Sequence, residues 1–146
     1  MDIKAAMKRS ELFRGLDDEQ LGQIAAISHK KTFNSNETIF EKGDQGDGFY
    51  IVGSGQVSVQ QTDEEGTAYP TIYLGKGQSF GEMALIDATT RSASIVAAND
   101  DTELYYLTTE DFINLCKTNT AIGYIMMRNI AQDLSFKLRH NVMSNM

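Results

Sequence analysis

A chain of 146 residues with 41% apolar and 23% charged residues has room for one globular domain and a composition unlike that of disordered proteins. The net charge of -7 is concentrated in residues 32–111, where acidic side chains far outnumber basic ones, so direct binding to a nucleic-acid backbone is disfavoured. A single cysteine and two histidines exclude an internal disulfide and a typical structural zinc site.

The longest nearly unbroken apolar run, Ala121 to Met127, is far shorter than the roughly 20 residues of a membrane-spanning helix. The N-terminus also lacks the apolar core of a signal peptide. We therefore expect a cytoplasmic protein that does not bind membranes.

Helical patterns occupy the first thirty residues. Apolar residues between Ile3 and Phe13 suit one face of a helix, and Asp17 followed three residues later by Gln20 resembles a capping box ahead of a second helix. The sequence predicts two short N-terminal helices within residues 1–30.

Residues 31–107 change to short β-rich segments separated by glycine-containing turns. Many short strands with frequent turn signals indicate a barrel, sandwich or jelly roll rather than a parallel α/β sheet. Six strands are predicted, at residues 38–40, 49–52, 57–60, 71–74, 93–97 and 103–107.

Helix returns in residues 108–146. Thr108 followed by acidic residues predicts a helix N-terminus, and a break around residues 117–120 precedes a long C-terminal helix. This helix carries two adjacent apolar lines, so packing onto the β-region and dimerisation both remain open. The lines are Ile122, Met126 and Ile130, and Met127, Ala131, Leu134 and Leu138.

The segment from Gly77 to Ile95 holds the residues best suited to binding a ligand. Gly81 opens a short helical turn whose free amides can hold an anionic oxygen. Arg91 offers a planar fork suited to phosphate, and Glu82 can accept hydrogen bonds from sugar hydroxyls. This set fits a phosphorylated sugar; the alternative is an ordinary surface salt bridge between Glu82 and Arg91.

Two runs of this segment, Phe80-Gly-Glu-Met-Ala-Leu-Ile86 and Arg91-Ser-Ala-Ser-Ile95, resemble the phosphate-binding cassette of the cyclic nucleotide-binding domain family. That family includes catabolite activator proteins and the regulatory subunits of cAMP-dependent protein kinase. Further matches to its pattern lie at residues 12–17, 43–52, 54–57 and 111–112.

The resemblance implies one domain over residues 1–146 that is mainly β with flanking helices. Its centre would be a double-stranded, jelly-roll-like β-roll at residues 31–107 with the cassette at residues 80–93. N-terminal helices at residues 1–30 and C-terminal helices at residues 108–146 would flank it. The sequence leaves no residues for a helix-turn-helix, so we expect a stand-alone domain.

Specific roles also follow from the resemblance. Arg91 would contact the cyclic phosphate, Glu82 the ribose 2′-hydroxyl, and Ser92 would add a hydroxyl and an amide. Phe80, Met83 and Leu85 are expected to pack the cassette against the roll. The implied ligand-binding set is Gly81, Glu82, Met83, Ala84, Arg91, Ser92 and Ala93.

The chain departs from the family pattern at two places. Thr90 precedes the cassette arginine where proline is common, which implies a more mobile loop. Lys137 and Leu138 stand where hydroxyl residues of the catabolite activator branch read the adenine amino group. Recognition of the base is therefore less defined than recognition of the phosphate.

The resemblance implies a non-catalytic sensor of a cyclic purine nucleotide, with cAMP ahead of cGMP and with no cofactor or metal. The C-terminal helix would relay occupancy to a homodimer or an effector protein. A metal-dependent enzyme on a β-roll is the first alternative, and the two distant histidines do not supply its ligands. The second alternative is a protein-interaction module that keeps the fold with little or no ligand binding.

Overall fold

Two antiparallel four-stranded sheets form the centre of the computed structural model, which describes residues 3–87 and 89–144. The first sheet has the strand order β1-β8-β3-β6 and the second the order β2-β7-β4-β5. The strands are β1 (His29–Phe33), β2 (Thr38–Phe40), β3 (Gly48–Ser54), β4 (Val57–Thr62), β5 (Ala68–Leu74), β6 (Ser79–Phe80), β7 (Ser94–Ala97) and β8 (Thr102–Thr108). The predicted mainly β fold is confirmed. The ends of the predicted domain, Met1 and Met146, and Ala88 of the predicted cassette lie outside the described residues.

Two of these strands were not predicted. β1 pairs with β8 along its whole length, yet it exposes His29 to Thr32 and therefore has no alternation of apolar and polar residues. An exposed, cation-rich edge strand is held by its backbone ladder rather than by burial. The expected helical region to residue 30 is therefore wrong at its end, because α2 stops at Ala26. β6 has only two residues and pairs with β3.

Helices cover one side of the first sheet. The α-helices are α1 (Ile3–Lys8), α2 (Asp18–Ala26), α3 (Thr109–Thr118) and α4 (Thr120–Ser144), and short 3₁₀ helices lie at Glu11–Phe13 and Glu82–Leu85. The predicted capping box begins α2: the Gln20 amide donates to Asp17 Oδ1 over 2.8 Å, and the Asp17 amide donates to Gln20 Oε1 over 2.9 Å. Thr108 caps α3 by accepting from the Asp111 amide. Among the described residues, no helix combines the length and apolar character needed to cross a bilayer.

Two hydrophobic clusters lie on opposite faces of the first sheet, because alternate residues of a strand point to opposite sides. On β3, Phe49 and Ile51 face the helices whereas Tyr50 and Val52 face the roll. The helix-facing cluster also contains Met7, Leu12, Phe13, Leu21, Ile24, Phe112, Ile122, Met126 and Ile130. The roll-interior cluster is Tyr50, Val52, Val57, Phe80, Ile95, Leu104 and Tyr106. The line Ile122, Met126 and Ile130 of α4 thus packs onto the domain.

Candidate functional site

A cavity of about 470 Å³ opens beside the 3₁₀ helix Glu82–Leu85, and we call it the cassette cavity. Its volume lies in the range of small-molecule sites. The second sheet supplies an apolar wall, and α4 supplies Lys137. All seven predicted ligand residues line this cavity: Gly81, Glu82, Met83, Ala84, Arg91, Ser92 and Ala93.

Gly81 begins the 3₁₀ helix in a left-handed conformation with φ of 81°. A Cβ at this position would lie 2.6 Å from Arg91 Nη1, so the arginine side chain occupies the space that any other residue would need. The Ala84 amide donates back to the Gly81 carbonyl over 3.1 Å and closes the turn. Glycine is therefore required here both by the backbone conformation and by the close approach of Arg91.

Arg91 is only 8% exposed. Its Nη2 donates to the Gly48 carbonyl over 2.8 Å, and its Nη1 donates to the Gly81 carbonyl over 3.3 Å. The centroid of the Phe40 ring lies 4.2 Å from the Cζ of Arg91. Its Nε is buried and has no hydrogen-bond partner among the described residues. These neighbours are uncharged, so they orient the guanidinium without neutralising it.

The carboxylate near Arg91 is that of Asp47, whose Oδ1 lies 3.7 Å from Nη2 and whose side chain is exposed. Burying a cation is costly unless it is paired. Glu82 does not pair with Arg91, so the simple salt bridge considered from the sequence is wrong. Asp47 is an exposed and distant partner for this buried cation, and an anion in the cassette cavity would add a second counter-charge.

Tyrosines of the roll-interior cluster lie behind the guanidinium. Burial raises the pKa of Tyr50. Burial, followed by a hydrogen bond with Asp47, raises the pKa of Tyr106 as well. The Tyr50 ring stacks on Phe80 with centroids 5.1 Å apart. This neutral aromatic stack fixes the beginning of the cassette against the roll.

Glu82 contacts α4 instead. Its Oε1 lies 3.7 Å from Nζ of Lys137. Of the two α4 residues that the resemblance placed near a base, the structure brings Lys137 to the cassette cavity, whereas Leu138 is exposed and does not line it. The two residues differ because neighbouring residues of a helix point about 100° apart.

The packing role expected of Phe80, Met83 and Leu85 holds for two of them. Phe80 and Leu85 are buried. Met83 is 43% exposed and lines the cavity, because the tight turn directs Ala84 and Leu85 inward and leaves Met83 at the surface. The packing expectation for Met83 is wrong.

The loop at residues 43–48 belongs to the site although its glycines suggested turns only. The Arg91 amide donates to the Asp44 carbonyl over 2.7 Å, and the Gly43 amide donates to the Arg91 carbonyl over 2.9 Å. A Cβ on Gly46 would lie 2.9 Å from the Thr89 carbonyl oxygen, so the two loops are closely packed. Several glycines between two predicted strands were the available signal for this contact.

An apolar wall from the second sheet was also missed. Val59, Ile72 and Leu74 line the cavity opposite the polar cassette residues. The spacing of two between Ile72 and Leu74 on one predicted strand was the available signal, since alternate residues of a strand share a face. Within the described part of the chain, no group of three or more side chains could hold a metal ion.

Comparison with known proteins agrees with this geometry. The family described as "Cyclic nucleotide-binding domain" matches residues 30–119. The cyclic AMP receptor protein of Thermus thermophilus is 36% identical over 133 residues, which cover 91% of this chain and 59% of that protein. The chain thus spans less than two thirds of this curated relative.

Solved structures show the same fold. The N-terminal domain of a transcriptional regulator from Streptomyces coelicolor superimposes with a TM-score of 0.84 at 27% identity, covering 94% of each chain. The regulatory domain of Toxoplasma gondii PKA, determined with cAMP, has a TM-score of 0.69 at 25% identity and covers 77% of this chain and 42% of that one. From its sequence, its sheets and its cassette, the chain belongs to the cyclic nucleotide-binding domain family.

Proposed function

We propose that this chain binds a 3′,5′-cyclic purine nucleotide, cAMP ahead of cGMP, as a non-catalytic sensor. The observation that carries the proposal is the buried Arg91 guanidinium, held by two carbonyls at the cassette cavity with an unsatisfied Nε. A cyclic phosphate brings one negative charge and two exocyclic oxygens, which match the arginine fork. The order of nucleotides rests on the two relatives described above whose names refer to cAMP.

The remaining cassette residues take complementary roles in this proposal. Glu82 accepts a hydrogen bond from the ribose 2′-hydroxyl. Ser92 and Ala93 offer backbone amides to the phosphate, and Met83 and Ala84 form the floor beside it. The base lies against the apolar wall of Val59, Ile72 and Leu74, where its faces lose contact with water.

The proposed output is the C-terminal helix. α4 contributes Lys137 to the cassette cavity and exposes Phe136 and Leu138 beside it. A ligand shifts a conformational equilibrium only when it interacts differently with the two states. Lys137 provides such a difference, because it lies on α4 and also lines the cavity. The exposed side chains of Phe136 and Leu138 provide a surface for a second copy or an effector protein.

Titration calorimetry tests the binding proposal. We expect wild-type protein to bind cAMP and cGMP, and we expect Arg91→Lys and Arg91→Ala to weaken binding by more than about tenfold, or about 1.4 kcal/mol, because a point charge cannot replace the fork. Arg128→Ala removes an exposed arginine of α4 and serves as the matched control. Circular dichroism verifies that each variant folds.

Two results would contradict the proposal. One is the absence of both binding heat and thermal stabilisation at millimolar cAMP or cGMP with wild-type protein. The other is unchanged affinity in folded Arg91→Ala, which would place the ligand elsewhere. A preference for cGMP above tenfold would reverse the proposed order of nucleotides.

A further inference from the structure

The ion pair of Glu82 and Lys137 lies where two cavities meet. A second cavity of about 310 Å³ lies beside the cassette cavity, toward the 3₁₀ helix Glu11–Phe13. Both cavities are lined by Leu74, Ser79, Glu82 and Lys137. The pair is therefore part of the partition between them, and it joins the cassette to α4 by side chains.

The two partners differ in exposure. The Glu82 side chain is 24% exposed and that of Lys137 is 62% exposed, with 3.7 Å between Oε1 and Nζ. An ionised carboxylate has two oxygens that both accept hydrogen bonds. Oε2 makes no hydrogen bond to any described residue, so a ribose hydroxyl can donate to Oε2 while Oε1 stays with Lys137.

Among the described residues, the Arg91 side chain has no comparable link to α4. The described polar contacts of the Arg91 side chain are with Gly48, Gly81 and Asp47, which lie on β3, in the cassette and in the loop before β3. The nucleotide group that reaches the Glu82 and Lys137 pair is the ribose. Filling the cavity also displaces water around Glu82, and Coulomb attraction strengthens as the local dielectric constant falls.

The rest of α4 is restrained. Asn129 Nδ2 donates to the Leu12 carbonyl over 2.8 Å and to the Arg14 carbonyl over 2.9 Å. Arg14 Nη2 donates to Gln132 Oε1 over 2.9 Å. Arg14 Nη1 also lies 3.5 Å from Asp133 Oδ1, and Leu134 packs against the helix-facing cluster. These contacts tie α4 to the rest of the domain as far as Leu134, so any ligand-dependent movement is directed to residues 135–144, which we call the distal segment.

Building on the proposed function, we infer that Lys137 is a positioning residue that acts through Glu82, so that recognition of the ribose 2′-hydroxyl, rather than of the phosphate, draws the distal segment onto the cassette. The phosphate then supplies affinity, and the ribose supplies the signal. A nucleotide without the 2′-hydroxyl binds but leaves the distal segment unchanged.

Hydrogen exchange with saturating cAMP or 2′-deoxy-cAMP tests this inference. Both nucleotides should increase protection around residues 80–87 and 89–95, and only cAMP should increase protection in the distal segment. Lys137→Met should abolish the distal response and weaken cAMP binding roughly two- to fivefold, without changing the affinity for 2′-deoxy-cAMP. Lys137→Arg should restore both the distal protection and the affinity for cAMP. Arg139→Met, which removes an exposed cation from the same helix, should change neither the distal protection nor the affinity.

Glu82→Gln provides a second test that does not depend on 2′-deoxy-cAMP binding. The amide can still accept from the ribose but carries no charge for Lys137, so cAMP should protect the cassette and leave the distal segment unaffected. Equal distal responses to the two nucleotides, or equal weakening of both by Lys137→Met, would overturn the inference. Absence of any cassette protection with either nucleotide would instead contradict the proposed function.

Discussion

The two halves of α4 differ although both carry apolar residues at helical spacing. In the proximal half, residues 120–132, Ile122, Met126 and Ile130 are all buried in the helix-facing cluster. In the distal segment, Phe136 is 57% exposed and Leu138 is 65% exposed. One helix thus contains a part that belongs to the core and a part that does not.

The cause of this difference is the surface that each half meets. The proximal half packs on α3 and on the 3₁₀ helix Glu11–Phe13. The distal segment extends beyond them to the rim of the cassette cavity, where Lys137 pairs with Glu82. Segments with few buried apolar contacts open at low free-energy cost. Stability therefore comes from the proximal half, and the distal segment is free to respond to a ligand.

The largest effect should come from shortening a side chain in the proximal half. Met126→Ala removes a fully buried side chain and should lower the free energy of unfolding by about 2–5 kcal/mol. Leu138→Ala should change it by less than about 0.5 kcal/mol, because the side chain is already exposed. Urea unfolding measures both values, and similar losses in the two variants would contradict the division of the helix.

A smaller loss should follow from removing the polar contact of the proximal half. Asn129→Leu keeps a similar volume but leaves the buried carbonyl of Leu12 and the partly buried carbonyl of Arg14 without this donor. We expect a loss of about 1–3 kcal/mol in urea unfolding. Gln132→Leu is the control about one turn further along α4, because Gln132 is exposed and, among the described residues, accepts a hydrogen bond from Arg14 alone. A neutral Asn129→Leu variant would show that this contact does not restrain α4.

Much of the candidate site could be predicted because its residues are close in the sequence. Gly81, Glu82, Arg91 and Ser92 occupy two short runs, and local spacing was sufficient to place them around one loop. Their partners were not predictable. The contact of Lys137 with Glu82 depends on where α4 crosses the roll, and neither residue type nor helical period specifies that crossing.

The strands, like the site, could be predicted only in part from the sequence. β3 and β8 were predicted because they are almost continuously apolar, which follows from burial on both faces. β1 has the sequence His-Lys-Lys-Thr-Phe and no apolar face, so its strand conformation depends on the ladder with β8. Strands that are stabilised by a partner rather than by their own side chains leave little trace in the sequence.

Removing the distal segment should cost still less stability. A chain that ends after Leu134 keeps every α4 side chain that is described as buried, so its free energy of unfolding should stay within about 0.5 kcal/mol of the full-length value. Its affinity for cAMP should equal that of Lys137→Met, since both lack the ammonium beside Glu82. Thermal unfolding and calorimetry measure the two quantities. A marked loss of stability would mean that the distal segment belongs to the core.

The smallest effect concerns Cys116, which lies on α3 against Gly123 of the proximal half. Burial raises the pKa of the Cys116 thiol. The thiolate is the reactive form, so alkylation at neutral pH should be slower than for free cysteine, and its rise with pH should be shifted to higher pH. Because the inference confines ligand-dependent movement to the distal segment, cAMP should leave this rate unchanged. In a Cys116→Ser background, Ser135→Cys places a thiol at an exposed position of the distal segment, where alkylation should be fast and should slow with cAMP. Mass spectrometry of timed samples measures both rates, and a nucleotide effect at Cys116 as large as at position 135 would show that α4 moves as one unit.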